Sequence, residues 1–263
     1  MTMWLRISGL LLRNFYLYRR SLARAMEIFF WPIMNLLVWG FLTRYLKGMD
    51  LPVAIHFLLG AMILWDLLYR SQQSITLALT EEFWVKNIMN LFITPVRTAE
   101  LVASLCIMGL IKSMITLVFL GVLAFFFYRF NIFEMGPSLV PFVANLALFG
   151  WAMGMFTMSL ILRYGHAAEA LIWGVPFLIQ PLSAVFYPVS VLPPWLRIFS
   201  YALPSTYIFE GMRAVLNTGT PNRTLLVLSF AMNLVYLAAG GLVFAWMLHQ
   251  VRKKGYLTRT HLE

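Results

Sequence analysis

Charged residues are scarce in this chain. Asp, Glu, Lys and Arg make up 11% of its 263 residues, whereas 61% are hydrophobic. Soluble domains carry about 25% charged residues. We therefore predict an all-α, polytopic membrane protein, because helices satisfy their backbone hydrogen bonds within lipid. The length accommodates roughly six spans of about 20 residues, without a soluble domain of ordinary size.

Cysteine, histidine and acidic residues are also rare. The single cysteine, Cys106, lies in an apolar run, which excludes an internal disulfide and a cysteine-based metal cluster. The four histidines include no pair at metal-ligand spacing on a helix. No G-x-x-x-x-G-K-[ST] sequence is present, so ATP hydrolysis is not assigned to this chain. We predict no catalytic, metal or cofactor site.

The basic residues exceed the acidic ones and give a net charge of +10. They flank apolar runs, which favours contact with membrane lipids and topology control over nucleic-acid binding. The N-terminal run is interrupted by Arg6 and Arg13, so it is not predicted to be a cleavable signal peptide.

Six apolar stretches are predicted to span the membrane, at 26–43, 53–79, 99–128, 138–162, 168–187 and 224–250. If the N-terminus is cytoplasmic, the cytoplasmic segments are 1–25, 80–98, 163–167 and 251–263. These segments hold twelve Lys and Arg residues and the opposite side holds six. The positive-inside rule therefore predicts that both termini are cytoplasmic.

The segment before the first span, residues 1–25, is a predicted amphipathic helix. At 100° per residue, four arginines form a stripe about 40° wide: Arg6, Arg13, Arg20 and Arg24. The opposite side gathers Trp4, Leu11, Phe15, Tyr18 and Leu22. This pattern predicts an interfacial helix with its apolar face in lipid and its arginines toward phosphates. The alternative is a continuous extension of the first span.

Residues 80–97 form a second amphipathic segment. Thr80 is a candidate N-cap, with Glu81 and Glu82 in the first turn, and Pro95 ends the helix. Four apolar residues gather on one side: Phe83, Trp84, Ile88 and Leu91. The pattern predicts a cytoplasmic surface helix that docks into a soluble partner. The alternative is an ordinary turn between two spans.

Polar and small residues also occur inside the predicted spans. Asp66 and Arg70 have i, i+4 spacing, and Lys112 lies near the middle of the third span. Such charges face protein or water, either in a translocation path or in a structural pair, and we favour the structural role. Gly150 and Gly154 form a small-xxx-small pattern typical of close helix packing.

Residues 188–216 are apolar but broken by prolines at positions 188, 193, 194 and 204. Two short helices are predicted, at 194–202 and 205–216, and neither is long enough to span a bilayer. We predict a re-entrant hairpin at the outer leaflet. The alternative is an extracellular loop that rests on the membrane surface.

This order of elements resembles the permease subunit of type-2 ATP-binding-cassette (ABC) exporters over nearly the whole chain. The run Asn90–Val96, which ends in Pro95-Val96, is similar to the family's sequence after the coupling helix. Pro204-Ser205-Thr206-Tyr207, with Arg213 six residues later, resembles the family's outer-hairpin signature, although an apolar residue usually stands where Ser205 does.

The resemblance implies one ABC-2 type transmembrane domain over 1–263. It implies a homodimer in the bacterial inner membrane, with ATP and Mg²⁺ bound by a separate ABC ATPase subunit. The coupling helix would cover residues 81–92, beside a gate helix at 4–20. The implied coupling residues are Glu81, Glu82, Phe83, Trp84, Asn87, Ile88 and Leu91. The implied hairpin residues are Pro193, Pro194, Trp195, Pro204, Tyr207 and Arg213.

The substrate is less clearly indicated. Polysaccharide-exporting relatives often begin span five with an arginine–aspartate pair, whereas this chain has Arg163 and, six residues later, Glu169. This departure favours a drug-like or lipid-like amphiphile. Aromatic residues, 16% of the chain, leave a polysaccharide or lipid-linked glycan as the alternative. An integral-membrane enzyme using Asp66, Arg70, Lys112, His56 or Glu100, or a channel, is more remote.

Overall fold

The computed structural model describes residues 2–47, 53–85, 87, 90 and 94–253. Among these residues the regular elements are helices, and no strand occurs. This confirms the all-α class. The α-helices are α1 (Met3–Arg20), α2 (Leu22–Lys47), α3 (Val53–Trp84), α4 (Thr98–Tyr128), α5 (Leu139–Tyr164), α6 (Leu171–Leu182), α7 (Pro194–Ala202), α8 (Pro204–Thr218) and α9 (Arg223–Lys253). Short 3₁₀ turns cover Ile132–Ser138, Gly165–Ala168 and Val189–Val191.

The chain breaks between α1 and α2 at Ser21. Its backbone is extended, with φ −117° and ψ 104°. Its Oγ accepts a hydrogen bond from the Arg24 amide at 3.4 Å, which is the N-cap geometry for α2. The N-terminal helix is therefore a separate element, as predicted, and not a continuous extension of the first span.

Small residues set the packing in the centre of the bundle, where α5 lies between α3 and α9. A Cβ on Gly150 would lie 2.7 Å from the Leu68 carbonyl oxygen, and one on Gly154 would lie 2.8 Å from that of Gln72. On the other side of α5, a Cβ on Gly240 would lie 2.7 Å from the Ala152 carbonyl oxygen. The predicted close packing at Gly150 and Gly154 is confirmed, because neither site has room for a side chain.

Three helical stretches of the described chain are long and apolar enough to cross a membrane, namely Thr98–Tyr128, Ile132–Tyr164 and Arg223–Lys253. Large apolar side chains are exposed along them, including Phe126 at 72% and Leu242 at 72%. Such surface requires lipid or another protein. The structure thus agrees with a multi-pass membrane protein, while the count of six spans stays a prediction.

The fifth predicted span, 168–187, is shorter than expected. Helix α6 covers only Leu171–Leu182, and twelve residues extend about 18 Å, which is less than the hydrocarbon core. Two prolines, Pro176 and Pro181, lie inside it. The chain leaves the helix at Ser183 and turns at Ala184, where φ is +50°.

The two short helices predicted within 188–216 are present as α7 and α8. Only Leu203 separates them, and its extended backbone ends one helix and begins the next. Pro204 occupies the first position of α8, where its missing N–H has no helical partner to lose. The Ser229 hydroxyl of α9 donates to the Pro204 carbonyl at 2.9 Å and fastens this pair of helices to the bundle.

Candidate functional site

The end of the bundle that holds α1 contains a buried polar junction. Arg6 forms an ion pair with Glu100 at 2.9 Å and donates a second hydrogen bond to the Pro95 carbonyl at 2.7 Å. Glu100 is only 2% exposed, and its other oxygen accepts from the Arg97 amide at 2.8 Å, which caps α4. One arginine therefore ties α1 to the Pro-Val turn and to the start of α4.

Two more ion pairs join the N-terminal segment to the end of α3. Arg13 contacts Glu82 at 2.5 Å, and Arg24 contacts Glu81 at 3.0 Å. Glu82 also accepts from the Asn87 side chain at 2.6 Å. The prediction that the arginine stripe faces phosphates is therefore wrong for Arg6, Arg13 and Arg24, because folding brings glutamates from distant positions beneath them. The exposed side of α1 carries Trp4 and Phe15, as predicted.

The predicted cap at Thr80 is wrong. Thr80 lies inside α3, and its hydroxyl donates to the Thr76 carbonyl at 2.7 Å. No Gly or Pro interrupts the sequence there, so the helix continues through Trp84 and the threonine bonds back by one turn. Glu81 and Glu82 are consequently in the last turn of a long helix. Ile88 and Leu91, and the side chain of Phe83, lie outside the described residues.

Helix α3 also contacts the segment between α5 and α6. The Trp84 indole N–H donates to the Glu169 carboxylate. Farther along α3, the Gln73 amide donates to the Ile172 carbonyl at 2.9 Å. That carbonyl lacks its helical partner because Pro176, four residues later, has no N–H. These contacts link α3 both to the α5–α6 connection and to α6 itself.

The three charged residues predicted within the spans lie in α3 and α4. Arg70 pairs with Asp66 at 2.7 Å and also donates to the Ile28 carbonyl of α2 at 3.2 Å. Pro32 has no N–H to donate to the Ile28 carbonyl, four residues earlier in α2. Arg70 supplies this carbonyl with a donor, as Gln73 does for the Ile172 carbonyl. Lys112 lies elsewhere: its ammonium donates to the Tyr18 hydroxyl at 2.6 Å and lies 4.2 Å from the centre of that ring. Tyr18, expected to face lipid, faces α4 instead.

One predicted hairpin residue, Arg213, lies at the other end of α3. Arg213 donates to the Ala184 carbonyl at 2.9 Å, pairs with Glu210 at 3.0 Å and lies 4.7 Å above the Phe57 ring. Glu210 in turn accepts from the Val189 amide at 2.8 Å. Together these two side chains stabilise the turn that follows α6, where the backbone is left-handed.

The other hairpin residues have separate positions. The Tyr207 hydroxyl donates to the Tyr201 carbonyl at 2.8 Å and so links α8 to α7. Pro193 and Pro194 begin α7, and Trp195 next to them is 63% exposed. The structure does not bring these side chains together with Arg213 in one polar site.

Ser205, the departure from the family's usual apolar residue, has a buried partner. Its hydroxyl lies 2.6 Å from that of Ser183, at the end of α6, and both residues are almost fully buried. The pair satisfies both hydroxyls within an apolar region. The departure therefore links α8 to α6 and leaves no unpaired polar group.

The two candidate regions lie at opposite ends of one helix. Phe57, beneath Arg213, and Glu82, beside Arg13, are both on α3. Their separation of 25 residues corresponds to about 38 Å along a helix, which is comparable with the thickness of a bilayer. A comparison with protein families matches residues 9–217 to the ABC-2 type transporter family. The chain belongs to this family.

This ABC-2 protein is accordingly a permease component of an ABC transporter and a multi-pass membrane protein. The family is typically non-catalytic and implies an ABC ATPase subunit as a partner. A comparison with curated proteins found no match.

Sequence reasoning missed the roles of Glu169 and Glu210 in this permease. Both are among only ten acidic residues in a strongly apolar chain. A glutamate in such a context needs a partner, and this scarcity was the available signal. The partners themselves, Trp84 and Arg213, could not be assigned to them from spacing alone, although Glu210 lies three residues before Arg213.

Proposed function

We propose that this permease exports an amphiphilic or hydrophobic, drug-like or lipid-like substrate from the cytoplasm or inner leaflet by alternating access. Two copies would pair with two ABC ATPase subunits, which bind ATP and Mg²⁺, in a bacterial inner membrane with both termini cytoplasmic. Each copy would form a single transmembrane domain over 1–263. Residues 80–97 would receive the movement of the ATPase, and the 188–216 hairpin would border the exit at the outer leaflet.

The observation that carries this proposal is the continuity of α3 between the two regions. A displacement of Glu81 or Glu82 by the ATPase would pass directly into α3, and through Arg13 and Arg24 into α1 and α2. At its other end, α3 contacts the hairpin through Phe57 and Arg213. A helix packed within a bundle transmits such a displacement well, because the close-packed protein interior and the helical hydrogen bonds resist compression.

The substrate assignment depends on the α5–α6 connection. Arg163 and Glu169 stand where polysaccharide exporters often have an arginine–aspartate pair, and Glu169 is engaged with Trp84. The glycan alternative has the exposed rings of α7 in its favour, including Trp195 at 63% and Phe199 at 58%. Aromatic rings of this kind also form the ordinary interfacial belt of membrane proteins. We therefore favour the amphiphile.

The test of the coupling assignment replaces Phe83 and Trp84 with Ala. We expect co-purification with any ABC ATPase encoded beside this gene, and ATP-dependent transport, to fall by at least about tenfold, as for loss of an aromatic interface anchor. The matched control replaces Phe126 and Phe127, an exposed aromatic pair at the far end of α4, with Ala.

Membrane insertion should persist in both variants. Unchanged ATPase binding in the Phe83 and Trp84 variant would overturn the coupling assignment. A chain that co-purifies with no ABC ATPase would contradict the exporter itself.

A further inference from the structure

A chamber lies beneath α1, between this helix and helices α3 and α4. Its main part has a volume of about 240 Å³, and a second part of about 50 Å³ extends toward Arg70. Both parts are lined by Tyr18, Ser74, Ala78, Glu81 and Lys112. The two parts share these lining residues and so are neighbours, and together we call them the α1 chamber.

One side of the α1 chamber is apolar. It is lined by buried leucines of α3 and α4, namely Leu79, Leu101 and Leu105. The outward side of α1 carries exposed Trp4 at 74% and Phe15 at 54%, which suits a helix at the membrane interface. A molecule in the chamber would therefore lie at the level where lipid tails meet headgroups.

The other side of the α1 chamber is charged. Among the described lining residues, four are basic (Arg13, Arg24, Arg70 and Lys112) and two are acidic (Glu81 and Glu82). Three of the basic residues form ion pairs, Arg13 with Glu82, Arg24 with Glu81 and Arg70 with Asp66. The low dielectric around such a concave site strengthens the attraction between its cations and an anion.

Lys112 is the residue best placed to bind an anion there. It projects from α4 into both parts of the chamber and donates to the Tyr18 hydroxyl. An ammonium has three donors, so the same group can also contact a phosphate or carboxylate oxygen. The Tyr18 ring, 4.2 Å from the ammonium, holds the lysine toward the chamber.

We propose that the α1 chamber binds an anionic amphiphile, whose charged headgroup contacts Lys112 and whose apolar part lies against Leu101 and Leu105. The ion pairs of Arg13 and Arg24 with Glu82 and Glu81 close the chamber along the end of α3, so movement of these two glutamates would open or close it. This inference rests on the proposed export function, because it narrows the substrate class.

The binding test uses the full chain in an uncharged detergent, with Cys106→Ser and a new thiol from Ala78→Cys. Ala78 lines both parts of the chamber, so its reaction with a maleimide reports occupancy. Leu12→Cys, on the exposed side of α1, is the matched control. Short-chain phosphatidylglycerol, the phosphatidylcholine of equal chain length and inorganic phosphate are the three probes.

Phosphatidylglycerol should slow labelling at position 78 about fivefold relative to phosphatidylcholine, as expected for one basic residue acting on an anionic headgroup. Lys112→Gln should remove this difference and Lys112→Arg should retain it. Labelling at position 12 should not change. Equal elution of the Lys112 variants and the parent protein in size-exclusion chromatography would show that the variants are folded. Equal protection by the two lipids, an unchanged Lys112→Gln variant, or protection by inorganic phosphate alone would each overturn the proposal.

A second arm distinguishes a transported molecule from a resident lipid. In the complex with the ATPase, ATP should shorten the protection by phosphatidylglycerol, because transport empties the chamber. Protection that ATP leaves unchanged would overturn the substrate assignment. The first arm needs no ATPase, so failure of anion binding and failure of the export function are distinguishable.

Discussion

Single residues of α3 compensate for prolines in two neighbouring helices. Pro32 in α2 and Pro176 in α6 each free a carbonyl four residues earlier, and Arg70 and Gln73 donate to those carbonyls. An unsatisfied carbonyl within lipid costs several kcal/mol. The two α3 side chains therefore allow helices with internal prolines to remain packed against the centre of the bundle.

The Gln73 contact can be tested in a double-mutant cycle. Gln73→Leu should lower the free energy of unfolding by about 1 kcal/mol, because the Ile172 carbonyl then keeps only the longer contact from the Gln72 amide at 3.5 Å. In a Pro176→Ala background the restored helical N–H should satisfy that carbonyl, so the same substitution should cost less. Thermal unfolding in detergent measures all four proteins, and equal costs in both backgrounds would contradict this role.

Adjacent glycines of α9 offer a matched comparison. A Cβ on Gly240 would meet the Ala152 carbonyl oxygen at 2.7 Å, whereas Gly241 has nothing within 4 Å. Gly240→Ala should therefore destabilise the protein by about 1–3 kcal/mol through overpacking. Gly241→Ala should be neutral or stabilising, and a similar change in melting temperature for both would refute the contact between α5 and α9.

At the scale of elements, α1 and the start of α2 are attached to the bundle by ion pairs of unequal burial. The side chains of Arg6 and Glu100 are 17% and 3% exposed, whereas those of Arg24 and Glu81 are 32% and 36% exposed. Breaking a buried pair leaves an uncompensated charge, while a pair near the surface contributes little. The Arg6 pair should thus determine whether α1 stays in place.

Arg6→Ala should cost about 3 kcal/mol, and Arg24→Ala at most about 1 kcal/mol. Glu100→Gln added to Arg6→Ala should recover part of the loss, since no buried carboxylate then remains unpaired. Unfolding in detergent gives the energies, and limited proteolysis at α1 shows whether the helix has detached. Equal costs of the two arginine substitutions would show that burial does not determine how much each ion pair contributes.

The bounds of the helices followed closely from the local sequence where a proline or a capping residue marks the end of a helix. The prolines at 193, 194 and 204 gave α7 and α8 nearly to the residue, and Ser21 separates α1 from α2. Prediction failed at Thr80, because threonine occurs both at caps and inside helices. Here no Gly or Pro stops the helix, so α3 continues and the Thr80 hydroxyl donates to the Thr76 carbonyl.

For the whole molecule, orientation in the membrane is a prediction from the distribution of Lys and Arg. Twelve on one side against six on the other predicts that both termini are cytoplasmic. A C-terminal fusion to green fluorescent protein should fluoresce, and a fusion to alkaline phosphatase should be inactive. An active phosphatase fusion would reverse the orientation and place residues 80–97 outside the reach of any ATPase.

The sequence by itself determined the class of this protein: a scarcity of charge and long apolar runs require a helical membrane protein, and two short motifs indicate the ABC-2 family. Those properties are local, since hydropathy and proline act on neighbouring residues. Only the tertiary structure decided which charges meet. Arg6 and Glu100 are 94 positions apart, as are Tyr18 and Lys112, and no periodicity connects them. Packing determines which charges pair. A charge near lipid requires an opposite charge beside it, and the fold determines which residue supplies that charge.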